Sequence, residues 1–189
     1  MNGLIQKFFF ATGCIFELAR GVILFAVVLA LINVFVVTLN IVNGASMEPN
    51  FHDKQYVLVD RLSFYLRAPE RGEPVIVKFP GDPEKVRYIK RIIGLPGETV
   101  EIDTNVVTIN GKVLHESYIP ADFQTLPNGI HELGPEEYFL MGDNRENSND
   151  SRVFGPVERR FFVGKAYFIL IPFGDAGLVS PEFYTIDPI

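Results

Sequence analysis

The sequence predicts a mostly β domain of antiparallel sheets behind a single N-terminal membrane-spanning helix, on three observations. No charged side chain occurs between Arg20 and Glu48, an apolar run long enough to cross a bilayer as a helix. Beyond it, short stretches rich in β-branched and aromatic residues recur, separated by Gly, Pro or Asp. Asn110-Gly111, between Val107-Thr108-Ile109 and Lys112-Val113-Leu114, is a strong hairpin signal, because both residues accept the positive φ of a type I′ turn.

Taken in order, residues 1–20 form a short N-terminal segment, 21–42 the anchor and 43–189 the β-rich domain. The run from Val22 to Leu39 exceeds the 7 to 15 residues of a cleavable signal's apolar core, which favours a retained anchor. Lys7 and Arg20 precede the run and the first cation after it is Lys54, so the positive-inside rule puts the N-terminus in the cytoplasm and residues 43–189 outside it. Strands are expected at Tyr56-Val57-Leu58-Val59, 75–79, Val86 to Ile93, 106–109, 138–141 and Phe162 to Ile171. Arg67 to Gly72 and Phe123 to Gly134 read as loops, and the tail from Pro172 to Ile189 is too broken by Pro and Gly to span again. Phe51, Phe64-Tyr65-Leu66 and Phe79 are either core residues or an apolar surface resting on lipid.

About 150 of the 189 residues lie beyond the anchor, enough for one domain with its own core. A net charge of -6 and a pI near 5.1, with no basic cluster, argue against a nucleic-acid partner. Cys14 is the only cysteine, so no intramolecular disulfide or thiolate metal site is expected. Neither a phosphate-binding Gly-rich loop nor a His/Cys/Asp cluster at metal spacing occurs, and no cofactor or metal is expected.

Three stretches carry candidate chemistry. In Asn43-Gly44-Ala45-Ser46-Met47-Glu48-Pro49-Asn50, small residues leave the backbone before Ser46 open to another chain, and Pro49 stops a regular helix. That suits a presented nucleophile, although a polar turn leaving a membrane would look the same. Strand alternation sets Lys90 on one face with Val86, Tyr88 and Ile92, and Arg87 and Arg91 on the other with Ile89 and Ile93. Burial there would lower the amine's pKa and make a general base; the plainer alternative is an edge-strand lysine that deters aggregation. The third stretch, Met141 to Arg152, is densely polar. It is a solvated loop or a scaffold around a site, and Ser148 occupies the position where a calcium loop needs Gly.

Together these stretches resemble the type I signal peptidases in their compact single-anchor bacterial form. Ser46-Met47-x-Pro49 is similar to that family's nucleophile box, Tyr88 to Glu98 to its general-base box, and Met141-Gly142-Asp143-Asn144-Arg145 through Val157 to its last box. Gly72-Glu73-Pro74-Val75-Ile76-Val77 resembles a further box, with Pro74 a departure. The resemblance implies a peptidase domain of the type shared with self-cleaving repressors. It implies a membrane serine endopeptidase that removes signal peptides from exported preproteins after small-x-small sites such as Ala-x-Ala. Ser46 would be the nucleophile and, through its backbone N–H, the oxyanion donor; Lys90 would be the base. Ser148 would orient Lys90, while Asp143 with Arg91 and Asp150 with Arg152 would form supporting ion pairs. Gly44 departs from members that carry a serine hydroxyl two residues before the nucleophile. The implied partners are preproteins and the bilayer, with a monomer expected in the cytoplasmic membrane. His52, His115 and His131 lie outside these boxes. A self-cleaving repressor, an N-terminal nucleophile exposed by cleavage after Ala45, and an inactive anchored binding protein remain as alternatives.

Overall fold

The computed structural model describes residues 2–84, 86–179 and 184–186, with side chains from Phe16 onward; those of Lys7 and Cys14, and tail residues 180–183 and 187–189, fall outside the described residues. The chain divides into two compact units, 1–37 and 38–189. The first is helix α1, Asn2–Phe35. Its apolar part, Phe16–Phe35, is 20 residues, which at 1.5 Å per residue spans about 30 Å, the thickness of a bilayer's hydrocarbon core.

The helix is shorter at its C-terminal end than the 21–42 range read from hydropathy. Residues Val37–Ile41 form strand β1. Hydropathy alone cannot separate an apolar strand from the end of an apolar helix. In β1 the buried residues are Thr38 and Asn40, while Leu39 and Ile41 face outward.

The second unit contains two sheets. The first orders β1, β2 (Tyr56–Asp60), β11 (Phe162–Ile171), β3 (Pro74–Val77), β4 (Tyr88–Gly94), β9 (Glu137–Met141) and β10 (Val157–Glu158), with β12 (Gly177–Leu178) added to β11. From β2 to β10 every pairing is antiparallel. The second orders β13 (Tyr184–Ile186), β7 (Lys112–Glu116), β6 (Val106–Ile109), β5 (Thr99–Asp103) and β8 (Gly129–Glu132). Asn110 and Gly111 take φ of 53° and 77° at the turn joining β6 to β7, as the hairpin signal required.

The expected strands are present with ends shifted by a few residues. Strand β8 replaces part of the loop expected over 123–134, and β5 and β13 were not anticipated. Gly129-Ile130-His131-Glu132 has exposed apolar and half-buried polar residues, so its sequence carries no inward alternation; pairing with β5 makes it a strand.

Three apolar clusters fill the β unit. Ile89 belongs to one with Met47, Phe51, Val57 and Ile76; Ile92 to another with Val75, Phe79 and Leu140; Ile93 to a third with Val100, Phe139 and Met141. Strand β4 is therefore covered on both faces and lies between β3 and β9. Phe51 and Phe79 are core residues, 2% and 4% exposed, whereas Tyr65 and Leu66 of the short helix α2 (Ser63–Leu66) face solvent.

Candidate active site

Ser46 lies in the connection from β1 to β2. Met47, next to it, is fully buried, and Phe51 donates its N–H to the Met47 carbonyl at 2.9 Å. Burying a side chain of this size is worth about 1.5–3 kcal/mol. The core thus holds the backbone on one side of Ser46 while its hydroxyl faces a cleft of about 440 Å³, which Gly44, Ala45, Tyr88, Lys90 and Ser148 help to line.

Lys90 comes from the interior of the sheet, opposite Val75 of β3, and is 2% exposed. It is no edge guard. Its Nζ stands 2.7 Å from Ser46 Oγ and donates to Ser148 Oγ at 3.0 Å. Burial pulls the amine's pKa from 10.5 down to about 8, with Asp150 drawing it back up and Arg152 pushing it down.

Ser148 follows the bend after β9. Its hydroxyl donates to Asp150 Oδ2 at 2.6 Å, which leaves the oxygen's lone pairs for the Lys90 N–H. Asp150 caps the short helix α3 (Ser151–Phe154) by accepting from the Arg152 N–H at 3.2 Å. It also receives Arg152 Nε and one terminal nitrogen, each at 2.8 Å, and the Gly142 N–H at 2.9 Å. Burial raises its pKa, but Arg152, Ser148 and the Gly142 N–H outweigh that and hold the carboxyl below its ordinary value. The chain of donors therefore has one polarity. With Asp150 ionised, Ser148 points its proton there, Lys90 points an N–H at Ser148, and a neutral Lys90 has its lone pair left to accept the Ser46 proton.

The second ion pair is equally buried. Arg91, on the other face of β4, grips Asp143 through Nε at 2.8 Å and a terminal nitrogen at 2.5 Å, donates to the Gly72 carbonyl and stacks over the Tyr118 ring at 4.3 Å. Asn50, from the nucleophile segment, donates to the same Asp143 at 2.9 Å. The structure thus brings Ser46, Lys90 and Ser148 into contact and sets both predicted ion pairs behind them. No histidine lines the cleft among the described residues. His52 is exposed near Glu48, and His131, on β8 of the second sheet, lies against the Phe139 ring.

Some supporting residues were not singled out from the sequence. A Cβ at Gly142 would collide with Ser148 Oγ and the Ser46 carbonyl oxygen, so only glycine fits there. The Asn144 N–H holds that same carbonyl at 3.1 Å. Arg145 is almost fully buried, donating to the Gly142 carbonyl at 3.0 Å and to Glu116 at 2.6 Å, where the Tyr118 hydroxyl also donates. Glu116 sits more than twenty residues away on β7, and no local pattern marks it.

The family model described as signal peptidase, peptidase S26 matches residues 15–171. The chain is 37% identical over 168 residues to a probable signal peptidase I-2 of Synechocystis, covering 83% of this chain and 74% of that one. It is 37% identical to a signal peptidase I of Bacillus amyloliquefaciens (84% and 86% covered) and 36% identical to signal peptidase I S of Bacillus subtilis (85% and 91%). A crystal structure of a signal peptidase I from Enterococcus faecalis matches 52% of this chain and 97% of that one, at 30% identity and a TM-score of 0.46. The chain belongs to the signal peptidase family, peptidase S26, as an enzyme of the signal peptidase I type.

Proposed function

We propose that this chain is a single-pass membrane endopeptidase in which Ser46 and Lys90 form a catalytic dyad that cuts signal peptides from preproteins after small-x-small sites. The observation that carries the reading is the 2.7 Å approach of a 2%-exposed lysine amine to the Ser46 hydroxyl, with Ser148 and Asp150 directing its remaining donor away. Neutral Lys90 takes the Ser46 proton as Oγ attacks the scissile carbonyl, and the Ser46 N–H receives the oxyanion. The Lys90 ammonium then protonates the leaving amine. With the acyl group on Ser46, Lys90 deprotonates the incoming water and a second tetrahedral intermediate collapses to free Ser46. Asp143 with Arg91 and Asp150 with Arg152 keep the segment that supplies Ser148 in place without touching the substrate.

The apolar part of the helix, Phe16–Phe35, spans the membrane, with the residues before it in the cytoplasm and the β unit outside. The preprotein lies extended between the backbone leading to Ser46 and β4, so side chains two apart enter the same wall of the cleft, which Gly44 and Ala45 help to line. The test is incubation of the detergent-solubilised full chain with a preprotein whose signal ends in Ala-x-Ala, the product N-terminus being read by mass. Cleavage after the second Ala is expected. Ser46→Ala and Lys90→Ala should abolish it with the protein still folded, whereas His52→Gln, His115→Gln and His131→Gln should each have mild effects. Undiminished cleavage by Ser46→Ala would refute the dyad.

A further inference from the structure

We infer that Asp53 is a positioning residue for Ser46, its carboxylate holding the Gly44 N–H and thereby setting the turn that presents the Ser46 N–H to the transition state. The inference rests on the dyad reading above. Gly44 donates its N–H to Asp53 Oδ1 at 2.7 Å, a charge-assisted bond of the stronger class. The same N–H is the main reason the Asp53 carboxyl lies below its ordinary pKa. Gly44 sits at φ +85°, and nothing lies within 4 Å of where its Cβ would be, so no packing against Gly44 itself holds its conformation. Bonds hold it instead. Val42 donates to the Gln55 carbonyl at 2.8 Å and accepts from the Lys54 N–H at 2.9 Å, and Lys54 Nζ donates to Asn43 Oδ1 at 3.1 Å. Three consecutive residues before the nucleophile are thus fastened to 53–55.

On the far side of the turn, the Asn144 N–H fastens the Ser46 carbonyl at 3.1 Å over the floor made by Gly142. Between the two fastenings the Ser46 N–H has no partner among the described residues and is left for an incoming oxygen. Gly44, Ala45 and Ser46 carry the soft dihedrals between these points, and the Ala45 carbonyl accepts the Glu48 N–H at 3.2 Å, so releasing the Gly44 N–H leaves the peptide that bears that donor held from its C-terminal side only. With Gly44 supplying no hydroxyl, the site has one backbone donor in place, and its direction decides how well the oxyanion is held.

Steady-state kinetics of the full chain in detergent, on the Ala-x-Ala preprotein, test this. Asp53→Ala should lower kcat about 10-fold with KM within about 2-fold, as expected when a transition-state contact loosens while the substrate strand still binds. Asp53→Asn keeps the acceptor oxygen and should return kcat to within about 3-fold of the parent, a rescue that a merely electrostatic role beside Lys54 would not give. The pH profile of kcat/KM should keep its midpoint in both variants, because Lys90 is untouched. An unchanged kcat in Asp53→Ala, an effect in KM alone, or an Asp53→Asn as slow as Asp53→Ala would each overturn the inference. Ser46→Ala run alongside separates the failures. Activity retained there overturns the dyad and this inference with it, while an inactive Ser46→Ala beside an unaffected Asp53→Ala overturns the clamp alone.

Discussion

As the proposed base, Lys90 trades stability for reactivity, and the trade has a measurable pH dependence. A pKa of about 8 in the fold against 10.5 for an ordinary lysine means that below pH 8 the folded chain carries a buried ammonium, at a cost of about 3 kcal/mol. Between pH 8 and 10.5 the unfolded chain binds more protons than the folded one, so this penalty shrinks as pH rises and is gone above 10.5. Lys90→Met should accordingly raise stability by roughly 3 kcal/mol at pH 7 and little at pH 10.5, read by denaturant melts at both values. In the proposed mechanism the same titration governs rate. If the neutral amine is the base, kcat/KM should rise tenfold per pH unit below about 8 and level off above it. A profile flat from pH 6 to 9, with chemistry rate-limiting, would remove Lys90 from that role. Ser148→Ala should lower kcat by about 5- to 150-fold, the worth of an orienting hydrogen bond of roughly 1–3 kcal/mol, with KM little changed. Lys90→Ala/Ser148→Ala should be no slower than Lys90→Ala, since no amine remains to orient.

The turn after β9 is the element on which the site depends. It begins at Gly142, whose missing side chain lets the Ser46 carbonyl and the Ser148 hydroxyl approach the same backbone, and it is closed by Asp150 capping α3. A methyl group at Gly142 must push one of these aside. Because a displacement near 1 Å can cost about 100-fold, Gly142→Ala should lower kcat by about that factor, with a near-parental far-UV spectrum. The Arg91–Asp143 pair ties this turn to β4 and, through Asn50, to the nucleophile segment. Arg91→Met leaves a fully buried carboxylate without its cation, so a loss of about 3–5 kcal/mol in unfolding free energy is expected, more than the Ser46→Ala change should cause.

At the scale of the molecule, the proposed topology places the helix in the bilayer and the β unit on the outer side. Protease added to intact spheroplasts should digest the β unit while sparing a tag placed before Lys7. Digestion of the tag alone would invert the orientation. The test is independent of catalysis and can be run on Ser46→Ala, so topology and chemistry can fail separately.

Period and composition were enough to show the apolar span, most strands of the larger sheet and the Asn110-Gly111 hairpin, because each is a local pattern along the chain. The stretches around Ser46, Lys90 and Asp143 to Arg152 were legible as a set, through their resemblance to the signal peptidase boxes, whereas each taken alone also allowed a purely structural reading. The helix end at Phe35 was not read from the sequence, since Val37 to Ile41 continues the uncharged run and its pairing with β2 makes it a strand. Strand β8 escaped because its alternation is inverted and its partner supplies the order. Lys90's burial likewise depended on β4 being covered on both faces, which a single strand's alternation cannot report. Glu116 beneath Arg145 and Asp53 beneath Gly44 bind across chain separations of 29 and 9 residues. Hydrogen bonds between residues far apart in the chain leave no periodic trace, so only the folded backbone could pair them.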